Sequence, residues 1–142
     1  MSSNLINSIN GPVVTIKGPT DLTMQEMVYV GSKKLIGEVI SISAERTTIQ
    51  VYETTTGLRV GEEIIGTGAP LSATLGPGII SNIFDGIERP LEDIEKTDGA
   101  FIGTGSSSPS LDPERKWDVT IKVSVGDELR GGDIYATCPE TP

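Results

Sequence analysis

Histidine is absent from the chain, and cysteine occurs once among its 142 residues. The absence of histidine excludes the Ser-His-Asp and Cys-His arrangements of nucleophilic catalysis and removes the commonest ligand of transition-metal sites. Cys138 has no second thiol with which to form an internal disulfide, so a reducing compartment is favoured. An enzyme built from these residues alone would have to use carboxylates, Lys, Arg or Tyr.

Long apolar runs and basic residues are also scarce. No segment reaches the roughly 20 apolar residues that a membrane-spanning helix needs, and the start, MSSNLINSIN, lacks the segments of a signal peptide. The chain has 11 Lys and Arg against 20 Asp and Glu, which gives a formal net charge of −9. Because this charge repels phosphate backbones and anionic lipids, we expect no nucleic-acid partner and no direct membrane insertion.

Glycine and proline are plentiful, with 17 and 9 residues and no repeat period. They separate short β-branched runs, a pattern typical of strands and turns. Thr47, Ile49 and Val51 should share one face of such a strand. Strands are predicted at residues 5–9, 13–16, 27–30, 35–43, 46–52, 63–65 and 71–75. About six short strands favour an all-β fold with a small closed β-barrel, because closure removes exposed edges.

The composition changes after the predicted barrel, which we assign to residues 1–75. Residues 76–110 are predicted to be a connector with a short helix near 91–96 and a Gly/Ser-rich linker at 103–110. Residues 111–142 are predicted to form a second, incomplete β-rich unit, because apolar and polar residues alternate from Trp117 to Val125 and strand character returns at 134–137. We interpret Trp117 as a packing residue.

Three Gly-x-Gly segments, at 66–68, 76–78 and 103–105, could in principle cradle a phosphate. None continues into GxxxxGK[ST] or GxGxxG, so glycines serving turns are the better interpretation. The acidic pairs at 62–63, 92–93 and 127–128 are interpreted as solvated edges and turns, since strand neighbours point to opposite faces. The five arginines are scattered. We therefore predict no catalytic, cofactor-binding or metal-binding residue in the chain.

The most distinctive segment is residues 71–91, LSATLGPGIISNIFDGIERPL. It closely resembles a signature stretch of the catalytic A subunit (alpha chain) of V-type and archaeal-type (V/A-type) ATPases. Segments that resemble the N-terminal β-barrel of that family lie at 11–14, 26–31, 35–40, 48–53, 57–62 and 67–72. Residues 116–117 and 125–141 resemble the start of its insertion, often called the bulge, which is a barrel-sandwich-like unit.

The resemblance implies the N-terminal assembly region of a rotary ATPase or ATP synthase. In that family the barrels of alternating A and B subunits form a hexameric ring, and the bulge projects toward the peripheral stalk. It implies ATP and Mg²⁺ in the full-length subunit, transport of protons or sodium ions by the complex, and a cytoplasmic location peripheral to the membrane. The family's phosphate-binding loop does not occur before Pro142, so we expect no ATP hydrolysis by these 142 residues and regard them as a fragment.

An alternative is a free-standing β-barrel adaptor or carrier-like module without catalysis. Residues 123–134 resemble half of a lipoyl- or biotinyl-type carrier domain. Those domains carry a modified lysine at the tip of a tight hairpin, whereas Lys116 and Lys122 lie outside such a turn.

Overall fold

The computed structural model describes residues 4–80, 82–99, 103, 105 and 108–140. Two compact units divide the chain. The first contains the described residues up to Ser72 together with Gly103 and Gly105, and the second contains the remaining described residues from Ala73 onward. In the described part of the chain, no helix combines the length and the apolar character that membrane spanning requires.

The first unit is a six-stranded antiparallel sheet, so the prediction of an all-β fold is confirmed. Its ladders follow the order β1-β2-β5-β4-β3-β6. The strands are β1 (Ile6–Asn10), β2 (Val13–Lys17), β3 (Glu26–Val30), β4 (Leu35–Ile42), β5 (Arg46–Val51) and β6 (Ile64–Pro70). The predicted strand at 71–75 is wrong. Glu26, the first residue of β3, pairs with Pro70, so no partner backbone remains for the residues that follow.

The two end strands of the sheet meet only in a short seam. Leu5 forms an isolated bridge with Glu63, and the Ile64 N–H donates to the Asn4 carbonyl at 2.7 Å. A β-bulge between Ile6 and Ser8 follows, and beyond it β1 pairs with β2 alone. The prediction of a fully closed barrel is therefore corrected: within the described residues β1 and β6 share this seam rather than a continuous ladder.

The core of the first unit follows from the alternation along its strands. Thr47, Ile49 and Val51 are buried, as the pattern in β5 predicts. The hydroxyl of Thr47 makes no hydrogen bond within the described residues. Buried polar atoms are nearly always hydrogen-bonded, so leaving this one without a partner costs free energy. The buried apolar residues are Ile6, Val14, Ile16, Leu22, Val28, Val30, Leu35, Val39, Ile49, Val51 and Ile64.

Gly37 is a position of the sheet where a side chain would meet the backbone of the neighbouring strand. It lies in β4, opposite Val51 of β5. A Cβ atom at this position would lie 2.9 Å from the carbonyl oxygen of Gln50 and 3.1 Å from Cγ2 of Ile49. The contact involves backbone of the neighbouring strand, so a side chain here would force β4 and β5 apart.

Glu26 is a buried carboxylate at the start of β3, only 5% exposed. It accepts hydrogen bonds from the N–H and hydroxyl of Thr23, at 2.7 and 3.0 Å, and from the N–H of Gly68, at 2.9 Å. Burial raises the pKa of Glu26, but these donors stabilise the charged form and hold its pKa below 4.5. The carboxylate thereby joins the turn before β3 to β6.

The second unit has little regular structure: α1 (Leu91–Asp98), β7 (Thr120–Ile121) and β8 (Ala136–Thr137). The helix lies where it was predicted, with Ile94 buried and Gly99 ending it. The predicted strand from Trp117 to Val125 shrinks to two residues. Its alternating side chains Val119, Ile121 and Val125 are at least half exposed, so the described residues supply no second layer to bury them. The predicted linker at 103–110 falls partly outside the described residues.

Replacing Gly37 by alanine should destabilise the sheet by about 1–3 kcal/mol, because the new methyl group overlaps backbone of β5. Gly86→Ala is the matched control, since no atom of the described residues lies within 4 Å of its Cβ position and its φ is not positive. Urea unfolding should show the lower midpoint only for Gly37→Ala. Equal midpoints for the two variants would contradict this packing.

Glu26→Gln should lower the free energy of unfolding at neutral pH by about 1–3 kcal/mol, because charge-assisted hydrogen bonds are lost. The pKa of Glu26 is depressed in the folded state, so its contribution is complete above the unfolded pKa and disappears as pH falls through the folded pKa. The difference between wild type and variant should therefore shrink below about pH 4.5. Unfolding measured across pH tests this, with exposed Glu45→Gln as control; a pH-independent difference would refute it.

Candidate functional site

The last glycine of each Gly-x-Gly segment donates its backbone N–H to a glutamate carboxylate. The pairs, each 2.9 Å apart, are Gly68 with Glu26, Gly78 with Glu140 and Gly105 with Glu53. All three glycines have positive φ. Gly78 and Gly105 lie in turns, as predicted. The turn interpretation is wrong for residues 66–68, because they lie within β6, where the pairing with β3 is irregular. A phosphate cradle needs backbone N–H groups free to meet an anion, and here a carboxylate already accepts from them. The described residues of these segments therefore do not fit a nucleotide phosphate.

Two glycines of these segments also allow close packing. A Cβ atom on Gly66 would lie 2.3 Å from Oε1 of Glu26 and 2.6 Å from Leu22. A Cβ atom on Gly78 would lie 3.1 Å from the ring of Trp117. The guanidinium carbon of Arg115 lies 4.1 Å from the centroid of the same ring, a cation–π contact. Trp117 therefore has the packing role predicted for it.

The acidic turn of the 71–91 segment is a compact hydrogen-bonded loop. Oδ1 of Asp85 accepts from the N–H of Ile87 at 3.1 Å and of Arg89 at 2.9 Å, while Oδ2 accepts from Nε of Arg89 at 2.7 Å. Burial raises the pKa of Asp85, but these three donors outweigh it and hold the pKa below 3.8. Phe84 and Pro90 form a β-bridge that closes the loop. Asp85 thus determines the shape of this turn.

The acidic pairs do not converge on a common point. Glu62 accepts from the N–H of Ser32 at 2.7 Å and of Arg59 at 2.9 Å, whereas Glu63 is exposed. The Ser32 N–H is the main cause that lowers the pKa of Glu62. Among the residues that the structure describes, no group of three or more His, Cys, Asp or Glu side chains could hold a metal ion.

An apolar and aromatic row crosses the outer face of the sheet, which we call the Tyr29 band: Ile65, Tyr29, Ile36 and Tyr52. Tyr29 pairs in register with Ile36 of β4 and with Ile65 of β6. The N–H of Tyr52 donates to the Ile36 carbonyl at 2.9 Å, which extends the row to the end of β5. Ile65 is 47% and Tyr52 41% exposed, although outer faces of antiparallel sheets are commonly polar. Sequence reasoning did not identify this row.

A basic cleft lies at the other end of the strands. Lys17 of β2 pairs with Arg46 of β5, so two like charges are direct neighbours. Neither side chain forms an ion pair with a described residue. The cleft is open to solvent and is lined by Asn7, Lys17, Gly18, Ser43, Glu45 and Arg46.

Asp85→Asn should loosen the loop, because an amide is a weaker acceptor than a carboxylate and its NH₂ group faces the Arg89 guanidinium. Amide hydrogen exchange at Ile87 and Arg89 should accelerate about tenfold, the effect of losing a charged hydrogen bond. Asp118→Asn, at an exposed position, should leave both rates unchanged. Unchanged exchange in Asp85→Asn would contradict the assigned role.

Two family models match the chain. Residues 6–68 match the β-barrel domain of the ATP synthase alpha/beta family, and residues 108–142 match the barrel-sandwich domain of the ATP synthase alpha/beta subunit. The first match covers all strands of the first unit except the last residues of β6. The second covers the part that contains β7 and β8.

Relatives of known description agree with these matches. The chain is 54% identical over 136 residues to V-type ATP synthase alpha chain 2 of Clostridium tetani, covering 96% of this chain and 23% of that protein. It is 48% identical over 138 residues to the A subunit of the A-type ATP synthase of Haloferax volcanii, covering 96% and 23%. It is 44% identical over 145 residues to the catalytic A subunit of the V-type proton ATPase of Cyanidium caldarium, covering 100% and 25%. The chain thus spans about a quarter of these relatives' length.

A solved structure shares the fold. It is the assembled ATPase EscN from the type III secretion system of enteropathogenic E. coli, with a TM-score of 0.55 and 21% identity, covering 61% of this chain and 21% of that one. At this identity the likeness shows the fold alone. The family rests on the two matched models and on the identities of 44–54% to V-type and A-type proteins. These show that the chain belongs to the ATP synthase alpha/beta family and matches its A subunits.

Proposed function

We propose that the chain is the barrel and bulge region of the A subunit of a V/A-type ATPase, with a mechanical role. It would join alternating A and B subunits into a hexameric ring. The observation that carries the proposal is the identity of 44–54% to such subunits over nearly the whole chain. A mechanical role is supported by the first unit, a hydrophobically packed sheet in which glutamate carboxylates accept hydrogen bonds from the N–H groups of Gly68 and Gly105.

On this proposal, ATP and Mg²⁺ bind to other parts of the full-length protein, and the complex couples ATP turnover to proton or sodium transport. In each Gly-x-Gly segment the N–H of the last glycine already donates to a carboxylate, which argues against a nucleotide phosphate at these three places. We therefore assign no chemical step to them. The proposal also includes a cytoplasmic location at the membrane-bound complex and contact of the bulge with the peripheral stalk.

The carrier-like alternative has less support. Lys122 lies directly after β7, where its N–H donates to the Tyr135 carbonyl at 2.9 Å. No lysine occurs between residues 123 and 135, the segment that joins β7 to β8. The modified lysine that defines a carrier hairpin therefore has no equivalent in this connection.

The ring function can be tested in a full-length A subunit that contains this sequence. Val28→Asp places a charge at a fully buried core position and should unfold the first unit. We expect this variant to lose hexamer formation with the B subunit, measured by native mass spectrometry, while nucleotide binding by the rest of the protein persists. Exposed Val125→Asp is the control and should assemble normally. Normal assembly of Val28→Asp, with an unfolded barrel, would refute the proposal.

A further inference from the structure

The turn between β1 and β2 contains an Asn-Gly pair. Asn10 ends β1, and Gly11 and Pro12 form the two-residue turn that leads to Val13. A backbone nitrogen can attack the side-chain carbonyl carbon of the asparagine before it and close a five-membered cyclic imide. Glycine hinders this attack least, because it has no Cβ. Among the four asparagines of the chain, Asn10 alone is followed by glycine.

Both reacting groups of this pair are accessible in the structure. The side chain of Asn10 and the N–H of Gly11 make no hydrogen bond within the described residues. Asn10, Gly11 and Pro12 are exposed, and no described atom lies within 4 Å of the Cβ position of Gly11. The fold therefore leaves the attacking nitrogen without a competing acceptor and admits water to the carbonyl carbon.

The other asparagines lack this combination. Asn4 is 8% exposed, and its Nδ2 donates to Oδ1 of Asp21 at 2.7 Å. Asn82 donates its Nδ2 to a backbone carbonyl at 2.7 Å, and a β-branched residue follows it. Asn7 is exposed, but it is followed by Ser8, whose side chain hinders the approach of the nitrogen.

Two Asp-Gly pairs of the chain could close the same ring, and the structure protects both. Aspartate reacts through its neutral carboxyl group. Burial raises the pKa of Asp85, but its hydrogen bonds outweigh burial and hold the pKa below 3.8, so this carboxyl is ionised at neutral pH. After Asp98, the attacking nitrogen is engaged, because the N–H of Gly99 donates to the Glu95 carbonyl at 2.9 Å.

We propose that Asn10 is a site of spontaneous deamidation in the folded chain. The nitrogen of Gly11 forms a bond to Cγ of Asn10, the Cγ–Nδ2 bond breaks, and Nδ2 leaves as ammonia with the proton of the Gly11 N–H. Water then opens the imide. The product is aspartate where the new bond to Cγ breaks and isoaspartate where the original peptide bond breaks. In sum, one water enters and one ammonia leaves.

Isoaspartate changes the contacts of this turn, because it inserts a CH₂ group into the main chain opposite Val13 and adds a negative charge. The Gly11 carbonyl accepts from the hydroxyl of Thr55, and the Pro12 carbonyl accepts from the N–H of Val51, both at 2.8 Å. Both hydrogen bonds depend on the position of the turn. We expect the modification to weaken them and to loosen the attachment of the β1–β2 turn to the end of β5.

The test incubates the folded 142-residue chain at mildly alkaline pH and physiological temperature. Trypsin then releases residues 1–17 as one peptide, since no Lys or Arg precedes Lys17, and Asn4 and Asn7 in that peptide are internal controls. Tandem mass spectrometry should find conversion at Asn10 at least about tenfold faster than at the other two, a difference of about 1.4 kcal/mol in activation free energy. Hydroxylamine should trap the imide at Asn10. Equal rates at the three asparagines, or conversion of Asn10 only after unfolding in urea, would overturn the proposal.

Asn10→Gln is the matched variant, because the longer side chain would have to close a less favourable six-membered ring. It should show no conversion at this position, and its urea midpoint should stay constant during incubation, whereas that of wild type should fall as isoaspartate accumulates. Asn7→Gln is the control and should convert at Asn10 as fast as wild type. A midpoint that falls as much in Asn10→Gln as in wild type would overturn the assigned effect on the turn.

Discussion

The first unit depends on strand β6, which holds the two ends of the sheet together. It pairs with β3 along one side, and its first residue, Ile64, donates to Asn4 across the seam and also contributes to the core. Its far end is tied by Glu26, whose carboxylate accepts from Gly68. Burying a carboxylate is costly, and three hydrogen bonds offset this cost. A sheet without β6 would lose the seam, the contact of Glu26 with Gly68 and the buried side chain of Ile64 at once.

Local sequence signals were sufficient to predict the strands and the short helix, because β-branched alternation, turn glycines and prolines act within a few residues of one another. They were not sufficient where strand formation depends on a neighbouring strand or on a layer that covers the strand. Residues 71–75 look like a strand, yet β3 ends opposite Pro70. The alternation from Trp117 to Val125 likewise forms only two residues of strand, because the described residues provide no layer to cover it.

The contacts of the candidate sites were not predicted either, because they join residues that are far apart in the sequence. The glycine amides and their glutamate acceptors are separated by 42, 62 and 52 positions, so no motif places them together. The Tyr29 band requires the register of three ladders, although each residue obeys ordinary alternation within its own strand. In contrast, the absence of a phosphate-binding motif was visible directly in the sequence, because such a motif is a contiguous run of residues.

The hydrogen bond between Gly105 and Glu53 has a consequence for synthesis of the protein. The six strands are complete once Pro70 has left the ribosome, so the sheet can form before residue 105 emerges. When Gly105 reaches Glu53, the residues between them become a closed loop that includes α1. The helix then no longer folds at the end of a free chain but within a loop anchored at both ends, which reduces the conformations open to it.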